Sequence, residues 1–151
     1  MKYLLIKIVQ IGKYSADERF KMHIAQSHKL PNYTCWGSNH NLKPETINNM
    51  ISDNKKMGYK SYILVLYSSK ERRTVTNFEY KAQLLKAFKK KSKCKIVPNN
   101  LKKNKHKLWL KLKNFSDISK NYNYELKNFR TINDTPLQNI NLCTMARIKK
   151  I

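Results

Sequence analysis

Trp36 lies in a polar segment whose side chains suit the binding of a nucleobase. The segment 29–42, KLPNYTCWGSNHNL, has the composition of a loop. Within it the indole offers a flat π-face, and Asn32, Ser38 and Asn39 supply donors and acceptors for a base edge. The same tryptophan also fits an ordinary loop aromatic that is tucked into a core. The sequence leaves both interpretations open.

Two further groups of residues would complete such a site. Tyr67 and Ser68, at the end of an apolar stretch, are candidates to line the same pocket. A basic run between residues 86 and 107 is typical either of a solvated loop or of a loop that follows phosphates, and these interpretations are compatible. Its candidate phosphate ligands include Lys89, Lys90, Lys91, Lys93 and Lys103.

The charge balance favours a polyanionic partner. The chain has 151 residues with 32 Lys and Arg against 9 Asp and Glu, a net charge of +23. Self-repulsion at this charge opposes folding, and nucleic acid is the commonest partner that relieves it. A codon bias towards Lys and Asn would explain part of the composition but not the shortage of acids. We therefore expect a nucleic-acid-binding protein.

The sequence gives little indication of catalytic activity. The acidic residues either sit at predicted helix starts or are scattered without the spacing of a carboxylate pair, and no phosphate-loop, dinucleotide or metalloprotease motif occurs. Cys143 with a distant His is a weak candidate for a nucleophile pair. Structural zinc at His23, His28, Cys35 and His40 is equally weak because no thiol pair anchors the set. We predict no enzyme activity, no cofactor and no metal.

The cysteines and the apolar runs indicate an intracellular protein, cytoplasmic or nuclear. Cys35, Cys94 and Cys143 are odd in number and far apart, which is typical of free thiols. The opening stretch resembles no signal peptide, and no run is long enough to cross a bilayer. We expect no membrane partner and a monomer.

The first half of the chain predicts a strand and two helices. Residues 2–9 are dense in β-prone apolar types. The capping box from Ser15 to Glu18 starts a helix that runs to about His28. After the predicted loop 29–42, Pro44 fits the first turn of a second helix that ends at Gly58.

The second half predicts mainly strands. Residues 61–69 and 74–84 form a hairpin around the charged turn 70–73. The long loop 86–107 holds one short strand, 94–97. The strand 107–113 places Trp109 opposite its leucines, where we expect it to pack, and further strands lie near 124–131 and 143–148. The order predicts one α+β domain over 1–151, a curled sheet or small β-barrel flanked by two or three helices.

The order of these motifs resembles the YTH domain, within the PUA-like group that includes EVE domains. The opening strand Tyr3–Lys7, the segment around Trp36 before the second helix and the apolar strand 62–68 are similar to that family. So are the strand around Trp109 and the closing Thr135–Leu137. The resemblance covers nearly the whole chain through short motifs.

The resemblance implies a PUA-like reader of N6-methyladenine, mainly in RNA, that encloses the methyl group in an aromatic cage. Trp36 would form one cage wall and Lys7 a phosphate contact. Lys95 stands where the family has a second cage tryptophan, and Ile8 and Val9 replace the base-reading Ser and Asn. The alternatives are an RNA or DNA binder that ignores modification, and a reader of methylated DNA in a restriction or anti-defence system.

Overall fold

The computed structural model describes residues 1–8, 15–67, 76–90, 94, 96–98, 106–137 and 145–151. Within these residues it contains two α-helices and a mixed sheet of seven strands, an α+β architecture as predicted. The helices are α1 (Ala16–Ser27) and α2 (Pro44–Lys56). The strands are β1 (Lys2–Ile8), β2 (Thr34–Ser38), β3 (Tyr62–Tyr67), β4 (Tyr80–Phe88), β5 (Leu108–Asp117), β6 (Phe129–Thr131) and β7 (Met145–Lys150).

The strand order is β2-β5-β4-β3-β1-β7-β6, with β1 and β3 parallel and every other neighbouring pair antiparallel. Both helices pack on one face, where Phe20 of α1 and Ile47 and Met50 of α2 meet apolar side chains from six of the strands. The opposite face of the central strands is covered by residues 118–137. Because both faces are covered, β1 and β3 are apolar at nearly every position.

The helix boundaries follow the predicted local signals. Ser15 accepts a hydrogen bond from the Glu18 amide, and the Glu18 carboxylate accepts one from the Ser15 amide, which confirms the capping box. Pro44 opens α2, and Gly58 follows its end with a φ of +82°, a conformation that glycine adopts without strain. None of the helices in the described residues is long and apolar enough to cross a membrane.

Two asparagines of α2, the buried Asn54 and the partly buried Asn48, fix the helix to the sheet. The Asn54 side chain exchanges hydrogen bonds with the backbone of Lys2 and donates one to the Ser61 hydroxyl. The Asn48 side chain bonds both the amide and the carbonyl of Ala87 in β4. These contacts satisfy backbone groups that the sheet ladder leaves open, so the helix has one position on the sheet.

Part of the predicted loop 29–42 is a strand, so that prediction was wrong for Thr34–Ser38. These residues pair antiparallel with β5 from Thr34 opposite Leu112 to Ser38 opposite Leu108. The segment is too short and too polar to show a β pattern, and its pairing partner lies at least 70 residues away in the sequence.

The predicted strand 74–84 is displaced to Tyr80–Phe88, although its pairing with β3 is confirmed. Phe78 breaks the expected alternation because its side chain packs on the opposite face from Ala82 and Leu84, and its amide bonds the Tyr124 carbonyl. The turn 70–73 lies outside the described residues.

Four other strand predictions need correction. Cys94 and residues 96–98 form no strand, although the Ile96 carbonyl accepts a hydrogen bond from the Cys35 amide. Within 124–131 only β6 is a strand, since residues 122–124 and 126–128 form 3-10 turns. Strands β5 and β7 extend past their predicted ends, to Asp117 and Lys150.

The prediction of free thiols was wrong for two of the cysteines. Cys35 and Cys94 form a disulfide across 59 residues of sequence, buried with Val97 and Trp109 on the other face of β2 and β5 from Trp36, where Met22 of α1 also packs. The packing predicted for Trp109 is thereby confirmed, since only 2% of it is exposed. Cys143 lies outside the described residues.

The disulfide should contribute measurably to stability. A crosslink that spans 59 residues restricts the unfolded chain, and we expect its reduction to lower the free energy of unfolding by about 2–4 kcal/mol. Urea unfolding with and without reductant measures this loss, and peptide mapping of unreduced protein should find Cys35 linked to Cys94. Alkylation of all three cysteines without reductant would contradict the crosslink.

Candidate nucleic-acid-binding site

An open cavity of about 330 Å³ lies where β1, the start of α1 and the edge strand β2 meet. Ile6 and Lys7 of β1, Arg19 of α1 and Trp36 of β2 contribute to its walls. In the strand order β2 is first and β1 is fifth, so the sheet must curl to bring them to one cavity. The volume is at the lower end of the range for small-ligand sites.

The cavity is lined by Trp36, whose indole the sequence indicates as a candidate contact for a base. Trp36 is only 4% exposed and belongs to the core that the helices cover. Its ring lies 6.1 Å from the Phe20 ring and 4.6 Å from the His23 ring, centroid to centroid. Trp36 is therefore a core residue that also lines the cavity; its packing in the core is confirmed, and its role in binding a base stays a prediction.

A buried cation lies against the same indole. Arg19 is 5% exposed, and its Cζ is 4.8 Å from the centroid of the Trp36 ring, within the range of a cation–π interaction. Burial lowers the pKa of Arg19 from its usual value. The half-buried Lys7 adds a second cation, and no acidic residue lines the cavity within the described part of the chain.

His23 is held neutral beside this cation. It is buried, and its Nδ1 lies 2.8 Å from the Thr34 hydroxyl in a hydrogen bond. Burial, and secondarily the charge of Arg19 and His106, lowers the pKa of His23 to about 3. A neutral imidazole avoids placing a second full charge next to Arg19.

The residues after β2 form the rim through a series of local hydrogen bonds. Ser38 Oγ accepts a bond from the His40 amide, and His40 Nδ1 accepts one from the Leu42 amide. Burial lowers the pKa of His40, so the imidazole is neutral near pH 7 and its proton lies on Nε2. Asn39 and Asn41 flank it as exposed rim residues.

Because Gly37 has no side chain, the imidazole of His106 can pack against it and form one wall of the cavity. A Cβ at this position would collide with the imidazole of His106 and would lie 3.0 Å from Trp109. The His106 ring in turn packs edge-on against Trp109, 5.3 Å away between centroids. Glycine is required here for close approach, since the imidazole occupies the space of a side chain.

The structure brings together four of the residues proposed from the sequence: Lys7, Trp36, Ser38 and Asn39 all line the cavity. Lys89 and Lys90 are exposed directly after β4. Tyr67 is the last residue of β3, and the position of its side chain is not described. Candidates outside the described residues are Ser68, Lys91, Lys93, Lys95 and Lys103.

Sequence reasoning missed Arg19, Gly37 and His106. Arg19 and His23 are four residues apart and so share a helix face, which offered a weak signal of a polar stripe beside the apolar one. Nothing local marked His106, because it reaches the cavity only through the pairing of β2 with β5.

The weak zinc candidates are not brought together. Cys35 is bonded to Cys94, His23 to Thr34, and His28 is exposed at the end of α1. Among the described residues no group of three His, Cys, Asp or Glu side chains is placed to hold a metal ion.

Comparison of the chain with protein-family models, with curated proteins and with solved structures gives no match.

The neutral His23 should make the fold sensitive to acid. The unfolded chain protonates this residue near its ordinary pKa of 6.5 and the folded protein only near 3. The stability that the neutral His23 contributes is therefore fully present above pH 6.5 and is lost as the pH falls. From this residue alone, the free energy of unfolding should decrease by about 2 kcal/mol between pH 7 and 5. Urea unfolding at both pH values measures the decrease.

His23→Gln should reduce that pH dependence because glutamine does not titrate and can still bond Thr34. His28→Gln is the matched control, since this histidine is exposed, and it should retain the wild-type pH dependence. An unchanged pH dependence in His23→Gln would show that His23 is not held neutral.

Gly37→Ala should displace the His106 ring and lower the free energy of unfolding by about 1–3 kcal/mol through overpacking. Adding His106→Ala should recover most of that loss, because it removes the atoms that the new methyl group meets. Denaturant titrations of the two single variants and the double variant give the coupling. Strictly additive losses would contradict the close contact.

Proposed function

We propose that this protein is a nucleic-acid-binding module that holds one unpaired base in the cavity at Trp36 and contacts the flanking phosphates with lysines. The observation that carries the proposal is a cavity with an indole in its wall, two cations and no acid among its described lining residues, in a chain of net charge +23. Aromatic rings and cations in one groove are the combination that single-stranded nucleic acid requires.

The sheet register supports the position of the phosphate contacts. Ser38 of β2 pairs with Leu108 of β5, and Trp109 pairs with Phe88 of β4. Lys89 and Lys90, which follow Phe88, and Lys107, which precedes Leu108, therefore extend from the sheet at the end where Ser38 reaches the cavity. All three are exposed, so a strand with one base in the cavity has cations beside it.

The resemblance to YTH domains implies N6-methyladenine in RNA as the base. An apolar methyl group would then contact the edge of Trp36, and Lys95, at the position of the second cage residue, lies outside the described residues. The proposal of a base-binding module does not depend on methylation. Oligonucleotides with and without the methyl group, as RNA and as DNA, distinguish a modification reader from a binder of the plain base.

The proposed function is tested by fluorescence anisotropy with a labelled single-stranded 9-mer that carries one base at its centre and abasic sites elsewhere, and with the fully abasic 9-mer. The fully abasic ligand should bind about tenfold or more weakly, since it loses the contacts of the base with the apolar walls and the hydrogen-bond donors of the cavity. Equal affinities for the two ligands, or no binding at low salt, would contradict the proposal.

Phosphate contacts should make the affinity depend on salt. For about five neutralised phosphates of a single strand, the slope of log affinity against log salt should be about −3 to −4. Lys89→Gln, Lys90→Gln and Lys107→Gln together should make the slope shallower by about 2 and weaken all sequences equally. The slope is read from anisotropy titrations between low and moderate salt.

The matched control changes three exposed lysines at the opposite end of β1: Lys55, Lys56 and Lys60. They lie near Lys2, whose backbone contacts Asn54, whereas the cavity lies at Lys7. Replacing them with glutamine makes the same change in net charge and should leave the slope nearly unchanged. Equal effects of the two triple variants would show that binding depends on net charge alone.

A further inference from the structure

We infer that the cavity selects guanine, through hydrogen bonds from Arg19 to the O6 and N7 atoms of the base. This inference rests on the proposed function and names the ligand of the same cavity. Guanine presents two adjacent acceptors on that edge, and the arginine fork donates to both in the commonest base-specific contact of proteins.

Arg19 is held in a fixed position, as a directional hydrogen-bond contact requires, and is not a mobile surface charge. Its side chain is 95% buried, lines the cavity and lies with Cζ 4.8 Å from the centroid of the Trp36 ring. A planar guanidinium held on an indole has little freedom to turn. Its five N–H groups all donate, and none can accept.

Two other ionisable groups of the lining, Lys7 and His40, also present donors, whereas the imidazole of His106 can accept as well as donate when it is neutral. The Lys7 ammonium carries three. His40 uses Nδ1 to accept the Leu42 amide, which leaves its Nε2–H as a donor. Among the described lining residues there is no carboxylate to accept a hydrogen bond from a base.

A lining rich in donors discriminates against adenine. On the same edge adenine carries one acceptor, N7, and the N6 amino group, which donates. With Arg19 opposite, that amino group would face a donor and lose its bond to water, a penalty equivalent to about tenfold or more in affinity. N6-methyladenine retains one N6–H and meets the same obstacle. The amides of Asn39 and Asn41 can accept, but both residues are exposed at the rim.

The walls favour a flat base over a phosphate group. Ile6, Trp36 and Gly37 supply apolar surface next to the guanidinium. A phosphate in that position would lose hydration against these walls, whereas a purine ring gains contact with them. A terminal phosphate is nevertheless a ligand that Arg19 can bind, so the experiment includes it.

The experiment varies one base at the centre of a single-stranded 9-mer whose other eight positions are abasic. The central position is adenine, N6-methyladenine, guanine, 7-deazaguanine or abasic, and affinities are measured with the wild-type protein by anisotropy competition. We expect the ligand with guanine to bind about ten- to a hundredfold tighter than the ligand with adenine. The ligand with 7-deazaguanine, which lacks only N7, should bind about tenfold more weakly than the ligand with guanine.

Each of the other outcomes contradicts the selection of guanine, the base-binding function, or both. Adenine or N6-methyladenine binding as tightly as guanine, with the abasic ligand weaker, would contradict guanine selection and leave the base-binding function intact. An abasic ligand equal to all others would contradict both. An abasic 9-mer that gains more affinity from a 5′-phosphate than from a central guanine would assign the cavity to a phosphate and overturn the inference.

A variant tests the role of Arg19 directly. Arg19→Lys keeps the charge but loses the fork, so the preference for guanine should fall to about threefold or less while the salt slope is unchanged. Arg147→Lys is the matched control on the exposed side of β7 and should keep the full preference. Guanine selection that survives in a folded Arg19→Lys protein would overturn the assignment. The melting temperature of each variant is measured alongside, and the 7-deazaguanine result on the wild-type protein needs no variant.

Discussion

The packing of α1 against the edge strand β2 through Trp36 is the interaction on which the cavity depends. The indole contacts Phe20, which anchors α1 in the core, and also lies against the buried guanidinium of Arg19, which this contact helps to stabilise. A desolvated cation–π contact contributes about 2 kcal/mol. The neutral state of His23 belongs to the same arrangement, because a charged imidazole 4.6 Å from the indole would repel Arg19. The side chain of Trp36 thus packs in the core and also holds the cation that we propose contacts the base.

The sheet supplies the rest of the site through its order and register. Strand β2 at one edge and β1, four positions along, both reach the cavity because the sheet curls around α1. On the opposite face of β2, the disulfide between Cys35 and Cys94 and the ring of Trp109 fill the space behind Gly37. The strand that carries the indole is therefore packed on both faces, which suits a site whose geometry selects its ligand.

Local signals in the sequence predicted the elements whose ends are set locally. The capping box at Ser15, Pro44 at the start of α2 and Gly58 after it mark the helices, since each satisfies or permits a specific backbone geometry. The α+β class and the lining residues Lys7, Trp36, Ser38 and Asn39 followed from such patterns and from the resemblance. Strand β2, the disulfide and His106 could not be predicted, because each depends on a partner more than 50 residues away.

The most direct test of the central claim is the NMR signal of the two indole N–H groups during titration with a single-stranded 9-mer. Trp36 lines the cavity, whereas Trp109 is buried on the opposite face of the sheet and contacts the cavity only through His106. We expect the Trp36 signal to shift with a ligand that has a central guanine and to move much less with the abasic ligand, and the Trp109 signal to shift less than that of Trp36. A Trp36 signal that stays in place while both ligands shift only backbone amides near the lysines would contradict a base in the cavity.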